Sequence, residues 1–213
     1  MPVKVKVCGV TDPAQAEAAV ELGADFLGLN FYPASPRFVD VGRALEIAGA
    51  VAGRVPLVGV FVDTPADEIE EIAGRVGLDL LQFSGGEGPE VVARFAAKTI
   101  KAFRTGRLPT REEVAPYRAV WGILIDAPHR SLYGGTGVAW DYAAVAGRDE
   151  ALPGRLFLAG GIGPENVRQA AAAVRPYAVD VCSRVESAPG IKDLGLLRRL
   201  FEEVRHGETQ TAP

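Results

Sequence analysis

Val3-Lys4-Val5-Lys6-Val7-Cys8-Gly9-Val10-Thr11-Asp12-Pro13 is the stretch from which the rest of the chain is read. As far as Val7, apolar and charged residues alternate over a β-branched run, the pattern of a strand. Gly9 breaks the run, and Thr11 or Asp12 with Pro13 supplies an N-cap and first-turn signal for an alanine-rich helix. Cys8 therefore stands at the carboxyl end of a first strand, where a βα loop begins. In α/β proteins that edge is where ligands bind. On position alone, a small buried thiol is the simpler reading of Cys8.

Outward from there the unit repeats. Strands are predicted over 25–31, 56–62, 79–83, 99–103, 120–125, 155–159 and 178–182. Helices are predicted over 12–22, 41–51, 66–76, 87–97, 111–117, 140–146, 165–174 and 192–205. Eight short apolar strands alternating with helices, and no strong linker, predict an α/β fold: one (β/α)₈ (TIM) barrel over residues 1–205 with short βα loops. Residues 206–213 read as a polar C-terminal tail. The alternative is a doubly wound open sheet, which the lack of Gly-x-Gly-x-x-Gly after the first strand disfavours.

Composition narrows the function classes. Of 213 residues, 48% are hydrophobic and 23% charged, enough apolar content for a large core and too much for disorder. A net charge of −4 argues against nucleic acid as a partner. No apolar run is long enough to cross a membrane. The start of the chain has no basic region followed by an apolar signal core, so a cytoplasmic location is expected. Cys8, Cys182, His129 and His206 have no metal-ligand spacing, and no metal is expected.

In a barrel the carboxyl ends of the strands converge on one mouth, which collects Cys8, Asn30, Asp63, Ser84, Arg104, Asp126, Gly160 and Cys182. A thiol and a carboxylate facing each other there suit general base and general acid roles, although Asp126 is equally readable as a loop cap. Gly134-Gly135-Thr136-Gly137, Gly160-Gly161 and Ser183 offer backbone N–H groups after three neighbouring strands. That is the place where barrels commonly bind phosphate; the plainer reading is three tight turns. Arg37, in a loop with Pro33 and Pro36, suits bidentate binding of a carboxylate or is a surface arginine. Lys6 shares the face of Cys8 and so points into the barrel, where Asp180 on the adjoining last strand is its natural partner. Such a pair would favour the Cys8 thiolate.

These residues match a known family. Lys6-Val7-Cys8-Gly9-Val10-Thr11, Phe31-Tyr32-Pro33-Ala34-Ser35-Pro36-Arg37, Val58-Gly59-Val60-Phe61-Val62 and Leu81-Gln82 resemble stretches of the phosphoribosylanthranilate isomerases of tryptophan biosynthesis. So do Gly134-Gly135-Thr136-Gly137, Leu158-Ala159-Gly160-Gly161 with Pro164-Glu165-Asn166-Val167, and Val185-Glu186 with Pro189-Gly190-Ile191-Lys192-Asp193. The resemblance implies a barrel with no cofactor that carries out an Amadori rearrangement of a phosphorylated small molecule, as an aldose–ketose isomerase. It implies Asp126 as general acid, Cys8 as general base and Arg37 on the anthranilate carboxylate. It places Gly135, Gly160, Gly161, Cys182 and Ser183 about the phosphate and Asp180 near the sugar hydroxyls. It leaves monomer and homodimer both open.

The chain departs from the family at three places. Ser84 stands where the family usually has His, and Cys182-Ser183-Arg184 where it usually has Ser-Ser-Gly. Cys182 is the poorer donor to a phosphate, and Arg184 either supplies charge there or turns outward. Cys8 and Cys182 end adjoining strands, so a disulfide is conceivable under oxidation, although a reducing cytoplasm and barrel shear oppose it. Two rival readings remain: another phosphosugar barrel enzyme, either a Schiff-base aldolase on Lys101 or a related phosphosugar isomerase, and a barrel that binds a phosphorylated ligand without turnover.

Overall fold

A computed structural model describes residues 3–104, 108–126, 152 and 154–209. Eight parallel strands close into a barrel: β1 (Lys4–Cys8), β2 (Phe26–Asn30), β3 (Leu57–Phe61), β4 (Leu80–Phe83), β5 (Thr99–Phe103), β6 (Gly122–Ile125), β7 (Arg155–Leu158) and β8 (Ala178–Val181). Closure comes from β1 pairing with β8, with Lys6 opposite Asp180 and Val7 opposite Val181. Among the described residues the helices are α1 (Pro13–Leu22), α2 (Val41–Val51), α3 (Ala66–Val76), α4 (Pro89–Ala93), α5 (Arg111–Val114), α6 (Val167–Val174) and α7 (Leu194–Thr209). None of them is long and apolar enough to cross a membrane.

Strand parity sorts the core into two layers. Phe26, Val58, Leu80, Ile100, Leu124 and Phe157 fill the barrel, while Val5, Val7, Leu27, Leu29, Ile123 and Leu158 face the helices. Phe26, Trp121, Phe157 and Tyr177 plug the amino-terminal end with edge and tilted ring contacts, and Arg155 lies 4.5 Å over Trp121. The packed end is thus opposite the mouth where Cys8 ends its strand.

The helix signals resolve in detail. Of the two N-cap candidates, Asp12 caps α1, accepting from the N–H groups of Ala14 and Gln15 at 3.0 and 3.2 Å. Thr11 instead donates its hydroxyl to the Gly190 carbonyl at 2.6 Å. The helix expected from residue 87 starts later, because the Glu87 carboxylate turns back to accept from the Asp63 and Gly85 N–H groups and to pair with Lys101. The helix expected from residue 165 also starts later, since the Asn166 amide binds the Gly163 N–H and the Gly161 carbonyl and holds that segment as a turn.

Lys192 does not open the last helix. It lies in β10 (Ile191–Lys192), which pairs antiparallel with β9 (Glu186–Ala188) in a hairpin after β8. The last helix runs on through His206–Thr209, residues that read from sequence as tail. The expected loop through Gly135 and the helix over 140–146 lie outside the described residues.

Candidate active site

The site begins with Lys6, which is wholly buried in the barrel and binds Asp180 Oδ1 through Nζ at 2.8 Å. One step nearer the mouth on the same face is Cys8. Gly28 on β2 pairs with Cys8 in the register and makes space for both side chains. A Cβ there would lie 2.8 Å from Cys8 Sγ and 3.1 Å from Lys6 Nζ.

This setting decides protonation. The adjacent Cys182 thiol acts as donor toward the Cys8 sulfur, and the Lys6 and Lys192 ammonium groups add positive charge. Together they outweigh burial and hold the Cys8 thiol well below its ordinary range. The same contact, with burial, pushes the Cys182 thiol up. Burial works against the Lys6 charge, but Asp180 and Cys8 overcome it and raise Lys6 above its usual value. Burial first, then the negative charge of Cys8 and Asp126, pushes the Asp180 carboxyl up to about 7 against the pull of Lys6.

Asp126 follows β6 with the parity of Leu124, a residue of the barrel interior. Its N–H is fixed to the Phe103 carbonyl at 3.0 Å. Cys8, Asp126, Asp180 and Cys182 thus meet at one mouth. Asn30, Asp63 and Ser84 serve their own loops instead. Asn30 binds Ser35 and the Tyr32 N–H, Asp63 accepts from Gly86, and Ser84 accepts from Gln82. Arg104 is exposed.

Arg37 is held at the same rim by a partner that sequence reasoning missed. Its Nε and Nη2 bind the two oxygens of Glu186 at 2.9 and 2.6 Å, and Lys192 Nζ binds Glu186 Oε1 at 2.7 Å. Burial alone would raise the Glu186 carboxyl, but Arg37 and Lys192 hold it below the usual range. Arg37 Nη1 takes no part in this pairing. Gly9, at φ +70°, brings β1 against this group; a Cβ there would meet Arg37 Cδ at 2.5 Å.

After β7, Gly160 and Gly161 take φ of 94° and 67°. Their N–H groups, and that of Ser183, meet no acceptor among the described residues. Arg184 packs its stem over Gly163, which sets it beside these loops. Gly135 is not among the described residues. Lys101, the Schiff-base candidate, faces away from the interior lined by Ile100 and Ala102. Its ammonium is bound to Glu87 at 2.7 Å and the Gly85 carbonyl at 2.8 Å, which removes the aldolase reading.

Among the described residues, no cluster of His, Cys, Asp or Glu could hold a metal ion. The fold and the cluster at its mouth define a (β/α)₈-barrel enzyme equipped to move protons. Residues 5–203 match the family described as N-(5'-phosphoribosyl)anthranilate (PRA) isomerase, and the chain belongs to this family. It is 42% identical over 209 residues to the N-(5'-phosphoribosyl)anthranilate isomerase of Halorhodospira halophila, covering 98% of this chain and 99% of that protein. The crystal structure of the Thermotoga maritima phosphoribosyl anthranilate isomerase superposes with a TM-score of 0.88 at 35% identity, covering 96% of this chain and 99% of that one. A phosphoribosyl anthranilate isomerase in complex with reduced 1-(o-carboxyphenylamino)-1-deoxyribulose 5-phosphate superposes with a TM-score of 0.84 at 33% identity over 96% of this chain and 99% of that one.

Proposed function

We propose that this protein isomerises N-(5-phosphoribosyl)anthranilate to 1-(2-carboxyphenylamino)-1-deoxyribulose 5-phosphate, an aldose–ketose conversion. The observation that carries this is the Cys8 thiol, held toward its thiolate by Cys182, Lys6 and Lys192 at the mouth it shares with Asp126. Asp126 protonates the furanose ring oxygen, and the C1′–O bond breaks to leave an iminium. The Cys8 thiolate takes the proton from C2′, and the C2′–H electrons form an enolamine that tautomerises to the ketone. C2′ is oxidised and C1′ reduced within one molecule, so no external electron carrier enters.

Arg37 binds the anthranilate carboxylate through the guanidinium edge that Glu186 leaves open. Gly135, Gly160, Gly161 and Ser183 receive the phosphate, with Arg184 beside them. Cys182 is turned toward Cys8, Glu186 and Lys192, a placement that favours tuning the base over binding phosphate. Asp180, fixed by Lys6, faces the sugar hydroxyls. The test is the fluorescence decay of freshly made phosphoribosylanthranilate. Wild type should consume it rapidly, whereas Cys8→Ser and Asp126→Asn should each lose about 10²–10⁴-fold in rate. No turnover by wild type would leave only a binding barrel, and an active Cys8→Ser would overturn the choice of base.

A further inference from the structure

The mouth holds two free thiols where the mechanism uses one as a base. Cys8 ends β1 and Cys182 directly follows β8; the register pairs Val7 with Val181, and the two cysteines are the next residue on each side. Neighbouring strands lie about 4.8 Å apart, inside the ~4.4–6.8 Å Cα separation that a disulfide accepts. The barrel thus brings the two cysteines together, where its shear could have kept them apart. Cys182 is partly exposed, whereas Cys8 is buried.

We propose that Cys8 and Cys182 form an oxidisable pair that a small peroxide converts to an intramolecular disulfide, withdrawing the general base from the site. Cys8 is the attacking sulfur, since Lys6 and Lys192 favour its thiolate. It displaces hydroxide from hydrogen peroxide to give Cys8–SOH, and the hydroxide takes a proton from solvent. The Cys182 sulfur then attacks the Cys8 sulfur; the S–O bond breaks and the oxygen leaves as water with the Cys182 proton. Two thiols are oxidised and one peroxide is reduced to two waters. Lys192 Nζ, 3.9 Å from Cys182 Sγ, stabilises negative charge on the second sulfur as it attacks. Because the resolving thiol adjoins Cys8, the sulfenic acid is captured before further oxidation.

The folded full-length protein is treated with hydrogen peroxide, then followed by mass spectrometry without reductant and by isomerase rate before and after dithiothreitol. Wild type should lose two hydrogen atoms, yield a cross-linked peptide pair containing Cys8 and Cys182 within one chain, and fall to the rate of Cys8→Ser. Dithiothreitol should restore it. Cys182→Ser, lacking the resolving thiol, should instead be carried to the sulfinic or sulfonic acid, gaining two or three oxygen atoms on Cys8, and stay inactive after dithiothreitol. The inference is overturned if wild type gains oxygen with no cross-link, if the link joins two chains, or if Cys182→Ser recovers as wild type does. The activity readout rests on Cys8 being the base, but the mass readout does not. A cross-linked protein that still turns over would therefore refute the base assignment and leave the disulfide standing.

Discussion

At the scale of single residues, Lys6 organises the site. An ammonium inside a barrel is tolerated only with a close counter-charge, and Asp180 supplies it at 2.8 Å. Replacing one partner leaves the other charge buried and alone. Lys6→Met should therefore destabilise the fold by about 3–5 kcal/mol in denaturant melts. The double variant Lys6→Met/Asp180→Leu should recover most of that loss, because no buried charge remains. Equal stability of Lys6→Met and wild type would show that the pair contributes nothing. The pairing was legible in the sequence from parity alone: two residues before Cys8, on the same face, opposite the last strand. Glu186 and Lys192 were not legible in this way. Both lie in quoted stretches, but Lys192 read as the start of a helix. Only the hairpin turn through Gly190 folds its side chain back onto Glu186.

Among the elements, β1 and β2 carry the tightest constraint. Gly28 holds no unusual φ; what it supplies is missing volume beside Cys8 Sγ and Lys6 Nζ. Gly28→Ala should force both side chains from their places, costing about 1–3 kcal/mol of stability. It should lower kcat more than it raises KM for the isomerase substrate, since the displaced group is the base. A Gly28→Ala protein with wild-type kcat would show that the close packing is incidental to catalysis. Strands were the most readable elements, because apolar runs bounded by Gly and Pro mark them whatever their neighbours do. Helix starts were less so. Glu87 and Asn166 look like helix residues locally, yet each spends its side chain on the N–H of a glycine two or three residues before it, and Glu87 also on the distant Asp63 N–H. The β9–β10 hairpin was hidden because its strands are too short to show alternation.

For the whole molecule, closure of the barrel turns distant residues into one acid–base unit. Lys6 and Asp180 are joined across almost the full chain by the β1–β8 pairing. An unfolded cysteine titrates near ~8.5, and the fold brings Cys182, Lys6 and Lys192 to the Cys8 sulfur to favour its thiolate. Since the folded thiol is the stronger acid, its ionisation adds stability above the unfolded value. That contribution is lost as pH falls through the folded one. The catalytic base and part of the alkaline stability therefore share one origin. The most direct measurement is the thiolate absorbance of the native protein against pH, taken as wild type minus Cys8→Ser, alongside the pH profile of kcat/KM. The Cys8 midpoint should lie well below that of the unfolded chain, with the acid limb of kcat/KM falling at the same pH. A Cys8 that titrates at or above the unfolded value, in an enzyme still active below it, would mean that its thiolate is not the base.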